Sequence, residues 1–246
     1  MISTTVLRNV MVGGAALAIC ASVLTGSVTQ AQSPDPPNVM DDGASHVERG
    51  KIAGWPGGDA VIYPTLGFFG NAQIFAVGAV EADGSFSIDL PPVVPVDLLG
   101  KSTDQCSTIQ SSDPEALTNF TGNYLISQHG KPIGATHSAS SPGFASFTSF
   151  HDGDTRTGLF YTDRDVTLTG SCDRTLSFGA VSIDFLQEFD ITAHKGWNSV
   201  VAVLSVPQQG HIVAHLTRGS NRDDEQWFFF STPSMAQGML ESGANV

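Results

Sequence analysis

His211 and His215 stand four apart in His211-Ile212-Val213-Ala214-His215-Leu216. On a helix that spacing sets two imidazoles beside one metal ion. The neighbours are strand formers, however, and on a strand two such rings point the same way about 13 Å apart. A shared ion then needs ligands from other strands. His137, His151 and His194 are the other imidazoles that could converge with them. Copper suits such a set, because imidazole is a good copper ligand and the metal can change oxidation state. The plainer reading is a pair of ordinary histidines on the solvent face of an edge strand.

Carboxylates give three further constellations. His151-Asp152-Gly153-Asp154-Thr155-Arg156 places two acids two apart in a loop, as calcium loops do. Arg156 stands where a third oxygen ligand belongs, and no bidentate acid follows at the required distance, so a turn is expected. Asp163 and Asp165 flank Arg164 on one strand face and read as rim residues or a general acid/base pair. Asp223-Asp224-Glu225 reads as a solvated loop. Nucleophilic catalysis has no elbow of the form Gly-x-Ser-x-Gly to rest on. No Gly-rich phosphate cradle is present either. Trp55, Trp197 and Trp227 could stack a sugar, but each lies in a strand pattern that favours core packing.

The chain has 246 residues, with 11 Lys and Arg against 24 Asp and Glu, a net charge of −13. That balance argues against nucleic-acid binding, which requires a basic face, and leaves cationic partners open. Arg8 is followed by a short apolar run, Val10 to Leu24, and by small residues at Thr29 and Ala31. This is the plan of a secretory signal peptide over 1–31, too short and Gly/Ala-rich for a permanent anchor. The expected location is therefore outside the cytoplasm: periplasm, cell envelope or cell surface. Beyond the leader two cysteines remain, Cys106 and Cys172, and an even count in an oxidising compartment predicts a disulfide.

The elements that must position these groups are strands. Residues 32–46 are Pro- and Asp-rich and read as a flexible tether. Gly50 to Trp55, a Pro-Gly-Gly turn and Ala60 to Tyr63 suggest a first hairpin. Phe75 to Val80 meets Ser85 to Leu90 across Glu81-Ala82-Asp83-Gly84, a strong hairpin signal. Pro91-Pro92 and Pro95 stop the sheet. Asp113-Pro114-Glu115 can start one helical turn, Leu117 to Gln128 is a strand, and the serine-rich 138–149 reads as a surface loop. Asp165 to Ser171 and Thr175 to Phe185 are strands. Val181, Ile183, Phe185, Phe189, Ile191 and Ala193 share one parity, and Trp197 to Leu204 is apolar at both, which predicts a half-buried strand paired with a buried one. Glu225 to Phe230 is a last strand, and a helix with Met235, Met239 and Leu240 on one face can follow.

Gly50-Lys51-Ile52-Ala53-Gly54-Trp55-Pro56 together with Ala82-Asp83-Gly84-Ser85-Phe86-Ser87-Ile88-Asp89-Leu90-Pro91 resembles the transthyretin-like or carboxypeptidase-regulatory β-modules of secreted proteins, over about residues 48–92. Leu159 to Val166 and Lys195-Gly196-Trp197-Asn198 are similar to patterns in exported deinococcal envelope proteins. These resemblances imply location and architecture and carry over no catalytic residue. In outline, a small acidic exported β-protein with one disulfide also resembles copper-containing superoxide dismutases, in which a His-x-His pair helps to hold the metal. This chain has no His-x-His pair.

The expected fold is all-β: an antiparallel β-sandwich with few short helices, a small β-module over 47–100 and a sandwich domain over 101–246 stapled by Cys106–Cys172. The expected function is non-catalytic, with no cofactor: binding to a cell-envelope or surface-layer protein, with no nucleic acid and no membrane span after the leader. The alternative is a copper-dependent, superoxide dismutase-like enzyme using His137, His151, His211 and His215. A sugar- or calcium-dependent adhesion module is the third reading.

Overall fold

Why Leu117–Gln128 runs for twelve residues is explained by its neighbours: it belongs to two curved sheets at once. The computed structural model describes residues 46–67, 73–146, 148–178, 181–208, 210–219 and 225–231. The expected leader, most of the tether, Asp223 and Asp224, and the C-terminal helix lie outside the described residues. The strands are β1 (His46–Ala53), β2 (Ala60–Leu66), β3 (Gln73–Ile74), β4 (Gly78–Val80), β5 (Ser85–Leu90), β6 (Gly100–Lys101), β7 (Gln110–Ser111), β8 (Leu117–Gln128), β9 (Lys131–Ala139), β10 (Thr155–Thr162), β11 (Val166–Phe178), β12 (Val181–Ala193), β13 (Gly196–Gln208), β14 (His211–Arg218) and β15 (Gln226–Phe230). Two four-residue helices, α1 (Ser102–Gln105) and α2 (Pro142–Ala145), and one 3-10 turn over Val96–Leu98 complete the described elements. The fold is all-β.

Seven strands close on themselves in the order β2-β4-β5-β1-β15-β9-β8, with β8 pairing back to β2, and form a barrel. Residues 47–100 supply four of its staves, and β8, β9 and β15 supply the others. The barrel is filled by side chains. Ile62, Ile88 and Ile126 are fully buried, and Trp227 sits edge-on between Phe86 and Tyr124, each with its ring centroid 4.9 Å away. Such edge-to-face contacts match the positive rim of one ring to the negative face of the next.

The Asp83-Gly84 hairpin forms as its residues predict. Glu81 N–H donates to Ser85 O at 2.8 Å, Gly84 takes φ 87°, and Phe86, Ile88 and Leu90 all turn inward. The first expected hairpin does not form. β1 and β2 are separated by β4 and β5, and the loop between them bends through Gly54, Gly57 and Gly58, all at positive φ. Gly residues in series let a loop climb across a barrel end as easily as they let it reverse.

The second half of one β8 edge, Tyr124 to Gln128, pairs with β9, while Thr118 to Phe120 pair with β10. From β10 the sheet continues β13-β14-β12-β11-β7. It curls as it goes, because Phe120 of β8 and Phe189 of β12 have ring centroids only 6.2 Å apart although three strands lie between them. Segment 100–116 spans the remaining gap, tied to β8 through β6 and to β11 through β7 and the bridge Cys106–Cys172, whose Cα atoms are 5.7 Å apart. Gly122 leaves room for the chain just past the end of β2, since a Cβ there would collide with the Gly67 carbonyl.

The sequential hairpin expected between β12 and β13 is replaced by a crossing. β14 inserts between them, parallel to β12 and antiparallel to β13. Two strand spacings total about 10 Å, which the link 194–195 can just reach. Asn198, buried at 4% exposure, plugs the space beyond the end of β14. Its Oδ1 accepts from His194 N at 3.0 Å, and its Nδ2 donates to His194 O at 2.7 Å and Gly196 O at 3.1 Å. The expected single strand Thr175 to Phe185 is divided between β11 and β12, which pair antiparallel from Thr175 with Asp184 to Phe178 with Val181, and residues 179–180 lie outside the described residues.

The serine-rich 138–149 differs from the expected surface loop. Ser138 and Ala139 finish β9, and α2 buries Phe144 and Ala145 after a Ser141 cap accepts from Phe144 N at 3.2 Å. Serine there works as a helix cap and a small core-edge residue. Asp113 does start one turn, with its Oδ1 accepting from Glu115 N at 2.9 Å.

Two stability outcomes follow. Asn198→Ala should cost about 2 kcal/mol, since it removes the partner of three backbone groups, one of them buried, read as a lower denaturant midpoint at unchanged slope. Reducing Cys106–Cys172, which closes a 66-residue span, should cost up to about 4 kcal/mol in the chain-entropy model. An unchanged melting temperature after reduction contradicts the second outcome.

Candidate functional site

β8 changes partner from β10 to β9 between Phe120 and Tyr124, and the three strands part there. His137 from β9, Arg156 from β10 and Asn123 from β8 fill that seam. His137 is 2% exposed and lies flat against Phe230, centroids 5.3 Å apart at 12° between planes. Burial, and then the adjacent Arg156 charge, hold its pKa well below the ordinary value, so the ring is neutral. The Arg156 guanidinium donates to His137 Nδ1 and, at 3.4 Å, to Gly122 O. With Nδ1 accepting, Nε2 carries the proton and donates to Asn123 Oδ1 at 2.8 Å. The tautomer is set by its neighbours.

Arg156 is itself pushed down to about 10 by burial, partly offset by Tyr124 and Glu225. Glu225, expected in a solvated loop, is half-buried and accepts from Ser138 Oγ at 3.0 Å. On the barrel side of β8, Tyr124 donates its hydroxyl to Glu48 Oε2 at 2.6 Å. Burial raises Glu48 to about 7, with the Tyr124 hydrogen bond opposing the rise. Glu48 shares the inward parity of Gly50 and Ile52, and that misplaced acid is the signal in the sequence for this pair. Arg156 carries the equivalent signal, sharing parity with Gly158 and Phe160.

The other candidate ligands lie elsewhere. His151 is exposed beside Asp154, 3.4 Å from its Oδ2. Asp154 is buried and turns inward, accepting from His151 N at 2.9 Å and Ser140 Oγ at 3.3 Å. Asp152 accepts from Val206 N at 3.2 Å, so both loop acids hold backbone. His194 faces Asp165 at 3.6 Å. Asp163 and Asp165 fall in the turn between β10 and β11 rather than on a strand face. They accept from Leu117 N at 2.8 Å and Lys195 N at 2.9 Å respectively.

His211 and His215 do point the same way on a strand, but β14 is an interior strand and not an edge. His215 Nδ1 is 2.7 Å from Glu188 Oε2, its direct neighbour on β12, and His211 stands opposite Asp184. Among the described residues no three His, Cys, Asp or Glu side chains converge as a metal-ligand set. Trp197 and Trp227 are buried, Trp197 donating Nε1–H to Pro91 O at 2.8 Å, and Trp55 rests edge-on against Phe229.

The solvent face of β11, β12 and β14 is a polar surface with a regular register. Register aligns Ser171, Glu188 and His215 in one row, Thr169, Asp190 and Thr217 in the next, and Asp173, Leu186 and Val213 on the other side. A row of Thr175, Asp184 and His211 completes it. Neither a family model, nor a curated protein, nor a solved structure matches the chain.

Glu48 gives a pH prediction. Its folded pKa lies above the ordinary 4.5, so it favours the fold below about 4.5, and that contribution is lost as pH rises through about 7. The full change is at most about 3 kcal/mol. His46, lowered by burial, works in the opposite direction and is lost toward acid pH. Glu48→Gln keeps an acceptor for Tyr124 without the charge. It should flatten the fall in stability between pH 5 and 8, measured by urea unfolding at several pH values.

Proposed function

We propose that the chain is an exported, non-catalytic β-protein that binds another component of the cell envelope through the solvent face of β11, β12 and β14. The observation that carries this reading is the register of that face, where Asp173, Asp184, Glu188 and Asp190 stand with two histidines on neighbouring strands. A rigid row of carboxylates on an acidic protein suits a basic segment of a partner, and complementary charge raises the encounter rate as well as the selectivity. The filled barrel supports the same reading, since Ile62, Ile88, Ile126, Phe86 and Trp227 occupy its interior and recognition falls to the outside.

In this reading the outer strands and the neighbouring barrel wall serve as the two layers of a sandwich. Support comes from one apolar cluster in which Ala139 and Phe228 of the barrel wall meet Phe160, Val200, Leu204 and Leu216. The serine-rich segment belongs to that core through Phe144 and Ala145, which leaves the acidic face as the surface for binding.

The test is cross-linking of the untagged mature protein within envelope fractions, compared with Asp184→Asn/Glu188→Gln/Asp190→Asn. The partner should be captured by the parent protein and lost about tenfold or more by the triple variant, with capture weakening as salt rises. Equal capture by both proteins overturns the reading. So does one copper per chain accompanied by superoxide removal that histidine substitution abolishes.

A further inference from the structure

The curled second sheet leaves a cleft where segment 100–116 bridges β8 to β11. Its cavity volume is about 20 Å3, room for roughly one water-sized group. Ile109, Phe120, Phe189 and Leu216 form apolar walls, and Arg174 and Gln187 reach the same space. The other polar groups there are already engaged. Ser102 Oγ and Thr118 Oγ1 bond each other at 2.5 Å, and Asn119 donates to Leu98 O at 2.7 Å while accepting from Phe120 N at 2.8 Å.

Arg174 is unlike the other described cations. Lys51, Lys101 and Arg164 sit in ion pairs, and Arg156 lies in the seam. Arg49, Lys131, Lys195 and Arg218 are exposed to solvent. Arg174 is half-buried, opposite Phe185 in the β11–β12 ladder, with no acidic partner among the described residues of a chain that holds 24 acids. A partly dehydrated guanidinium without a counter-charge is unfavourable. Its planar fork of donors matches a carboxylate in two parallel hydrogen bonds.

We infer that this cleft binds a carboxylate carried on a small apolar group, with Arg174 holding the two oxygens, Gln187 donating beside it, and the apolar part left outside the walls formed by Phe120, Phe189 and Leu216. The cavity admits the charged end alone, so the rest of the ligand lies along the mouth between β8 and β12. A free organic acid and the C-terminus of a peptide share this chemistry. The cleft is separate from the acidic face, which is on the opposite side of β12 and β14 from Phe189 and Leu216.

Titration of the full chain with 3-phenylpropionate, followed through the Arg174 Nε–H resonance, tests it. Saturable binding is expected, with 3-phenylpropionamide at least about tenfold weaker because it lacks the charge. Arg174→Gln should abolish the preference for acid over amide. Arg174→Lys should keep part of it, since charge survives but the fork does not. Gln187→Leu should weaken the acid selectively, and Arg218→Gln should change nothing. A parallel arm uses Ala-Ala-Phe with a free or an amidated terminus. Tighter binding of the free peptide than of 3-phenylpropionate assigns the ligand to a chain terminus, and weaker binding assigns it to a small acid. Equal affinity for acid and amide, absence of binding by every acid, or acid binding that survives both Arg174 variants overturns the site.

Discussion

Backbone hydrogen bonding along β8 is the constraint from which the architecture follows. A strand has two edges, and every N–H and C=O along them must be paired or solvated. β8 is twelve residues long and no single neighbour covers either edge. β6 and β2 share one of them, while β10 and β9 share the other. Each partner can therefore belong to a different curved sheet. The barrel closes through β2 and β9, and the outer strands depart through β10. The cost of that arrangement is the gap where β9 and β10 diverge, and His137, Arg156 and Asn123 fill it.

The seam is an unusual place for a cation, and its composition explains why it is tolerated. Arg156 is met by a neutral imidazole and a backbone carbonyl, with Glu225 close enough to hold its charge. A hydrophobic plug of the same volume would be at least as stabilising. Directional hydrogen bonds add something bulk burial lacks, because they are made only when β8, β9 and β10 adopt one register. Tyr124 and Glu48 act similarly across the barrel interior, coupling β8 to β1. Polar contacts of this kind select a register while the aromatic and aliphatic packing supplies the driving force.

A filled barrel and a curled sheet leave different surfaces available for recognition. The proposed partner surface draws its order from the ladder, since parallel pairing of β12 with β14 sets Glu188 directly beside His215. The Arg174 cleft draws its shape from the curl, since it lies where β8 and β12 approach without pairing. Segment 100–116 and the Cys106–Cys172 bridge keep those strands at that separation.

Much of the local structure was legible in the residues. Alternation in Phe86, Ile88 and Leu90, the Asp83-Gly84 turn and the long strand from Leu117 to Gln128 rest on short-range rules, the pairing of Cys106 with Cys172 rests on their even count, and each appears as read. Periodicity also placed His211 and His215 on one strand face. The partners of each strand were not legible. β1 beside β15, β14 between β12 and β13, and Phe144 beneath the serine-rich segment depend on residues far apart in sequence, and a period-two pattern gives a strand its faces but leaves its neighbours open. Glu48, Arg156 and Arg174 were visible only as charges at inward positions, with nothing nearby to name what meets them. By itself, then, the sequence determined the strands, the turns and the faces, because those follow from steric and solvation preferences within a few residues. Tertiary structure alone decided which edges pair and which buried charges are answered, because hydrogen-bond partners across a sheet are chosen by how the whole chain closes.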